Sequence, residues 1–181
     1  MKIWKLNFNV EEYDSLVPVK YSLDESKIFD GRKKKGHWTP MPVKRMEPET
    51  CLDLGDATGF MDFPAFNQKA LDVLEPLIRD SVEVLQLAFK EKTYWGINVI
   101  SVLDVLDYAK SVYRTFPNTN KIAIIEKYAF RNCVELKNHN IFKLVNEPRR
   151  RPFVSEKFKN AAEQNNLTGF SFELVWDSDI S

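Results

Sequence analysis

The sequence is short of the residue types that most site chemistry needs. Its 181 residues hold two cysteines, Cys51 and Cys133, and two histidines, His37 and His139. Neither cysteine sits in a Cys-x-x-Cys pair, and this set does not supply the four or so N and S donors of a zinc site. The two cysteines read as buried thiols in a reducing compartment, or as one long-range disulfide. There is no surplus of charge either: 26 Lys plus Arg balance 26 Asp plus Glu. That argues against a dedicated nucleic-acid binder, whose affinity rests on excess positive charge. No apolar run approaches the ~18 residues of a membrane span. The start Met1-Lys2-Ile3-Trp4-Lys5-Leu6 alternates polar and apolar, unlike the apolar core of a signal peptide. A protein of the cytoplasm is expected, with no membrane contact. No G-x-S-x-G, P-loop or G-x-G-x-x-G occurs, so no cofactor and no resident metal is expected.

What is present is an ordinary globular balance, 44% apolar and 29% charged, with thirteen phenylalanines. A chain of this length can bury a core without staples. Residues 2–8 carry Trp4, Leu6 and Phe8 at period two and predict a strand. Asn9 is placed to cap a short helical turn with Glu12. Residues 24–50, with Gly31, Gly36, Pro40, Pro42 and Pro48, predict a long loop. Asn67 caps a helix on which Ala70, Leu71, Leu74, Leu77 and Ile78 form one stripe, and Pro76 should kink or end it near Leu74. Strands are predicted at Val82–Phe89 and Tyr94–Ile100. Residues 101–110 suit a short helix starting at Ser101 or an extension of the strand, and the helix is preferred. After the turn Pro117–Asn120, a strand follows through Ile122, Ile124, Tyr128 and Phe130, and another spans Ile141–Val145. Ser155 caps a helix with Phe158, Ala161 and Ala162 inward, ended by Asn165-Asn166. Phe170, Phe172, Leu174 and Trp176 alternate as a strand over 170–176, and the tail Asp177–Ser181 should fray.

Segments 52–89 and 141–176 resemble each other. Pro64-Ala65-Phe66-Asn67-Gln68-Lys69-Ala70 and Pro152-Phe153-Val154-Ser155-Glu156-Lys157-Phe158 each lead through a polar cap into a helix and then a strand. Either this is a structural repeat, or it is how any strand passes into a helix. The fold class expected is α+β: mostly antiparallel sheets with a few short helices in one domain over 1–181. A true repeat would make it two similar strand–helix–strand lobes.

Candidate chemistry is thin. A Ser–His or Cys–His pair would have to use His37 or His139, and both sit in settings typical of exposed turns. Carboxylates gather at Asp53, Asp56 and Asp62, and at Asp104 and Asp107. Two carboxylates can bind a divalent ion or act as acid and base, but Asp is also the usual residue of caps and turns. An enzyme or small-molecule site would need Asp104 and Asp107 to converge with a histidine. Two basic runs, Arg32-Lys33-Lys34-Lys35 and Arg149-Arg150-Arg151, are candidates for phosphate contact, although solvated loops look the same. Trp38 and Trp95 are candidate anchors for a protein partner.

Several stretches together resemble a known family. These are MKIWKLNFNVEEYDSLVP, GHWTP, FNQKALDVLEPLI, VEVLQL, YWGINVISVLDVLD, IFKLV and, most specifically, FVSEKFKNAAEQNNLTGFSFELVW. They resemble immunity protein family eleven, which accompanies bacterial polymorphic toxins. The resemblance implies a cytoplasmic, non-catalytic protein that binds a cognate toxin domain and blocks it, alone or as a homo-oligomer. If that toxin is a basic nuclease, acids should face it. The contact set then expected is Asp53, Asp56, Asp62, Asp104 and Asp107, with Trp38.

Overall fold

The computed structural model describes residues 1–20, 29–50, 52–60 and 63–180. Along the chain, β1 (Lys2–Phe8), β2 (Leu16–Pro18), β3 (Met41–Arg45), β4 (Ala57–Phe60) and β5 (Phe63–Phe66) lead to helix α1 (Gln68–Ile78). Then come β6 (Val82–Ala88), β7 (Trp95–Val99), β8 (Val102–Leu103), β9 (Val112–Thr115), β10 (Ile122–Lys127) and the short α2 (Val134–Lys137). β11 (Ile141–Leu144), β12 (Phe153–Ser155), α3 (Glu156–Gln164) and β13 (Phe170–Asp177) complete the described elements. The sheets are mostly antiparallel and the class is α+β.

Among the described residues, three sheets result. β2, β3, β6, β7, β5 and β4 close into a barrel, β13-β1-β12-β11-β8 form an open five-stranded sheet, and β9 pairs with β10 alone. α1 runs between β5 and β6, which lie on either side of β7 and antiparallel to it. α3 runs between β12 and β13, which flank β1 in the same way. The two helices meet in one core, where Leu71, Leu74 and Ile78 of α1 join Phe158 and Ala162 of α3. β1 presents Leu6 and Phe8 to that core, and the barrel presents Ala57, Phe66, Ile97 and Val99. Because side chains alternate along a strand, the same barrel strands turn Phe60, Ala65 and Leu87 into a second core with Leu16, Met41, Val43 and Tyr94. A third core covers the opposite face of the five-stranded sheet. There Ile3, Phe142, Phe153 and Trp176 pack under Leu106, Ile125, Tyr128, Phe130 and Leu136.

The local signals for the starts of α1 and α3 hold. Asn67 Oδ1 accepts from Ala70 N at 3.0 Å, and Ser155 Oγ accepts from Phe158 N at 3.2 Å. Asn166 adopts φ 49°, the left-handed exit at the end of α3. Four expectations change. α1 runs through Pro76 to Ile78, because Pro76 lies on the exposed side and only one helical hydrogen bond is forfeited. Residues 101–110 hold no helix; Val102–Leu103 is a strand parallel to β11, and Leu106 bridges Phe130. The long loop contains β3, whose Met41 and Val43 point inward while Pro42 points out. Finally, the alternation of β13 breaks: Trp4 pairs with Leu174 but Ile3 pairs with Trp176, so Val175 is an extra residue and Trp176 flips to the other face. The part of the expected loop at 21–28 lies outside the described residues.

The two halves meet tightly where Gly55 and Gly169 cross. A side chain at Gly169, which has φ +83°, would collide with the carbonyl oxygen of Ala57. Lys143 on β11 is a second tie. It is 1% exposed, its ammonium donates to the carbonyls of Phe29 and Pro148, and it lies 4.7 Å from the centre of the Phe63 ring.

Candidate functional site

The carboxylates singled out by the sequence fall in separate places. Asp56 is buried and works inward. Its Oδ1 accepts from Asn67 Nδ2 at 2.9 Å, and its Oδ2 accepts from Lys69 Nζ at 2.9 Å, Thr168 N at 2.9 Å and Thr168 Oγ1 at 3.1 Å. Burial alone would raise its pKa. The hydrogen bonds from Thr168, Asn67 and Lys69 outweigh that and hold the carboxyl below the usual range. Asp56 therefore joins the start of α1 to the loop before β13.

Asp53 is exposed and sits in an ion-pair group around Arg45. Lys92 Nζ donates to it at 2.7 Å, Arg45 approaches at 3.6 Å, and Arg45 also holds Glu91 and faces Asp14. The Lys92 hydrogen bond is the main reason its pKa is lowered. Asp104 lies 3.7 Å from Arg131 and accepts from the Tyr108 hydroxyl at 3.3 Å. Asp107 accepts from the amides of Ala109 and Lys110, as a turn residue does. Neither has a histidine partner: His139 Nδ1 is 2.8 Å from the Glu135 carbonyl, and His37 ends an exposed turn at Lys35–His37. Asp62 and Cys51 lie outside the described residues, and Cys133 stands half-buried at the start of α2. Among the described residues, no group of three His, Cys, Asp or Glu is arranged to hold a metal.

Trp38 is half-buried. Its Nε1 donates to Gln86 O at 2.8 Å, and its ring packs 5.7 Å from that of Phe29. The neighbouring basic run is held down: Arg32 pairs with Asp30 at 2.6 Å, and the amides of Lys34 and Lys35 donate to Glu83. The second run behaves differently. Arg150 and Arg151 line a cleft of about 180 Å³ with Lys5, Asn7 and Glu173. A wider groove of about 610 Å³ lies between α1 and α3, floored by Val73, Leu77 and Ala161.

The feature least visible in the sequence is the β9–β10 hairpin. Its inner side, Tyr113 and Ile125, packs on the core over the five-stranded sheet. Its outer side carries Val112 (49% exposed), Ile124 (45%) and, next to the turn, Phe116 (53%). Arg114 and Glu126 lie between them, paired at 2.6 Å. Only the strand at Ile122 is foreshadowed in sequence, because Val112–Thr115 is too short and too polar to stand out.

A mostly antiparallel α+β protein with candidate acids already engaged by its own cations and amides is the class these features define. The immunity protein family (Imm11) matches residues 84–177, from within β6 to the end of β13. The chain belongs to that family. No curated protein matches it. Among the described residues, no helix is long and apolar enough to cross a membrane.

Proposed function

We propose that this protein binds a cognate bacterial toxin domain in the cytoplasm and neutralises it by occlusion, with no chemistry of its own. The observation that carries this reading is membership of the immunity protein family over residues 84–177. The geometry supports it. Asp104 and Asp107 are engaged with Arg131, Tyr108 and turn amides, and each histidine sits apart from them. An inhibitor of this kind needs a complementary surface of roughly 1,600 Å² in total, with a few anchoring side chains near its centre. Asp56 fastens the two halves of the molecule together, so the contact with the toxin runs through other residues.

The test is co-production of the chain with the toxin domain encoded by the adjacent gene, in a host that the toxin kills. Survival with the full chain, death without it, and association of the two purified proteins at micromolar concentration are expected. A chain that neither rescues growth nor associates would end the proposal.

A further inference from the structure

The balanced total charge hides a separation. Between Lys110 and Arg151 stand ten lysines and arginines against three glutamates. Between residues 46 and 99 stand ten carboxylates against four lysines and arginines, while Asp104 and Asp107 lie beside the basic segment, where Asp104 pairs with Arg131. The fold gives this asymmetry a direction. The acidic segment builds β4 to β7 and α1, on the barrel side of the molecule. The basic segment builds the hairpin, α2, β11 and the loop to Arg151, and its hairpin lies over the face of the five-stranded sheet turned away from α1 and α3. Of these ten cations, Lys143 is buried.

The same cap carries exposed apolar side chains. Val112, Phe116, Ile124, Val134 and Val145 all belong to it and are at least 44% exposed. It is continuous with the arginine cleft through Tyr128, at the foot of β10. Lys5 Nζ lies 5.6 Å from the centre of the Tyr128 ring, and the Tyr128 hydroxyl donates to Glu147 at 2.9 Å. Lysines along a two-stranded ribbon would serve to blunt its open edges. That role does not extend to Arg149–Arg151, which sit in a loop, or to an apolar crest, which exposes rather than protects.

Resting on the immunity reading, we infer that the toxin docks on this basic cap and that the toxin's own docking surface is acidic. Phe116 and Ile124 are the apolar anchors, and Lys110, Lys121, Lys127 and Arg150 supply the surrounding field. Apolar anchors within a charged rim are the layout of a protein interface. Backbone phosphates would reward the cations and leave the β-branched crest exposed, so a protein fits better than a nucleic acid. Opposite charge around the rim speeds encounter and makes affinity depend on salt.

The experiment measures the dissociation constant of the full chain for the toxin domain of the adjacent gene, silenced in its active site, at 50 and 200 mM salt. Three variants are compared with the wild type: Lys110→Glu with Lys121→Glu and Lys127→Glu; Phe116→Ala; and, as a control on α1, Glu75→Lys. All these side chains are exposed, and a thermal melt of each variant verifies the fold. The charge reversal is expected to weaken binding about 100-fold at 50 mM and to abolish most of the salt dependence. Phe116→Ala should weaken it about tenfold, and the control should stay within about threefold of the wild type. If the wild type binds and both cap variants bind equally well, the cap is not the docking surface and the immunity reading survives. If the wild type does not bind at all, the immunity reading fails and this inference falls with it. Tight binding of a single-stranded RNA probe, lost in the charge reversal, would reassign the cap to nucleic acid. Sedimentation as a dimer that Phe116→Ala dissociates would reassign it to a second copy; both results overturn the inference.

Discussion

At the scale of single residues, Asp56 shows how a carboxylate in a surface-like sequence becomes structural. The flanking Gly55 and Gly59 suggest a turn, whereas the aspartate sits at a bend immediately before β4. What removes it from the surface is Thr168, 112 positions away, which donates both its amide and its hydroxyl. Three further facts tie the same spot: Asn67 and Lys69 donate to the carboxylate, and Gly169 crosses Gly55 with no room for a side chain. Removing the acid takes the acceptor from the part-buried contacts of the Thr168 amide and the Asn67 side chain, while the exposed Lys69 ammonium regains water. Asp56→Ala is expected to lower stability by about 2 kcal/mol, read from urea denaturation. The contribution has a defined pH window. Because the folded carboxyl titrates below its ordinary range, its stabilisation is complete above that range and is lost as pH falls through the lowered value.

At the scale of elements, caps were legible in the sequence and partners were not. Asn67 and Ser155 act within three residues of themselves, so composition reveals them. The period-two run of β13 is local too, yet its end is not: the bulge at Val175 turns Trp176 away from the face of Phe170 and Phe172. No pattern within β13 announces this, since it arises from pairing with β1. Segments 52–89 and 141–176 each fold as strand, helix and strand, with an antiparallel strand inserted between. That shared topology supports the proposal that they are a pseudo-repeat. α1 offers a direct measurement. Pro76 interrupts its hydrogen bonding on an exposed turn, so Pro76→Ala restores an N–H donor and removes the ring's clash with the preceding turn. The gain is expected to be about 1–2 kcal/mol after the added freedom of the unfolded chain is counted, visible as a higher denaturant midpoint.

At the scale of the whole molecule, Lys143 links the five-stranded sheet to the Phe29 loop and to β5 of the barrel. Burial lowers its pKa from 10.5 to about 8, partly offset by Asp30. The unfolded chain therefore binds more protons than the folded one between those values, and stability rises with pH across that window. Between pH 7.5 and 9.5 the wild type should gain about 2 kcal/mol relative to Lys143→Met. Tyr94 and Tyr128, whose burial raises their pKa values, act equally in both proteins and cancel in the comparison. A difference between the two proteins that does not change with pH would show that the lysine is not desolvated in solution. The charge separation belongs to this scale as well. It requires only counting in sequence, but it acquires meaning once the basic segment is seen to fold over one face and the acidic segment on the other side.

By itself, the sequence determined the caps of α1 and α3, the strands β1, β6, β7 and β11, the α+β class and, through its final segment, the likeness to an immunity protein. These follow from periodicity, capping and turn chemistry, which act over a few residues. The tertiary structure alone decided that six strands close into a barrel, that Asp56 faces inward, and that a hairpin carries Phe116 and Ile124 on a basic face. The reason is physical: pairing, closure and charge placement depend on contacts between residues tens to more than a hundred positions apart, and local chemistry does not record them.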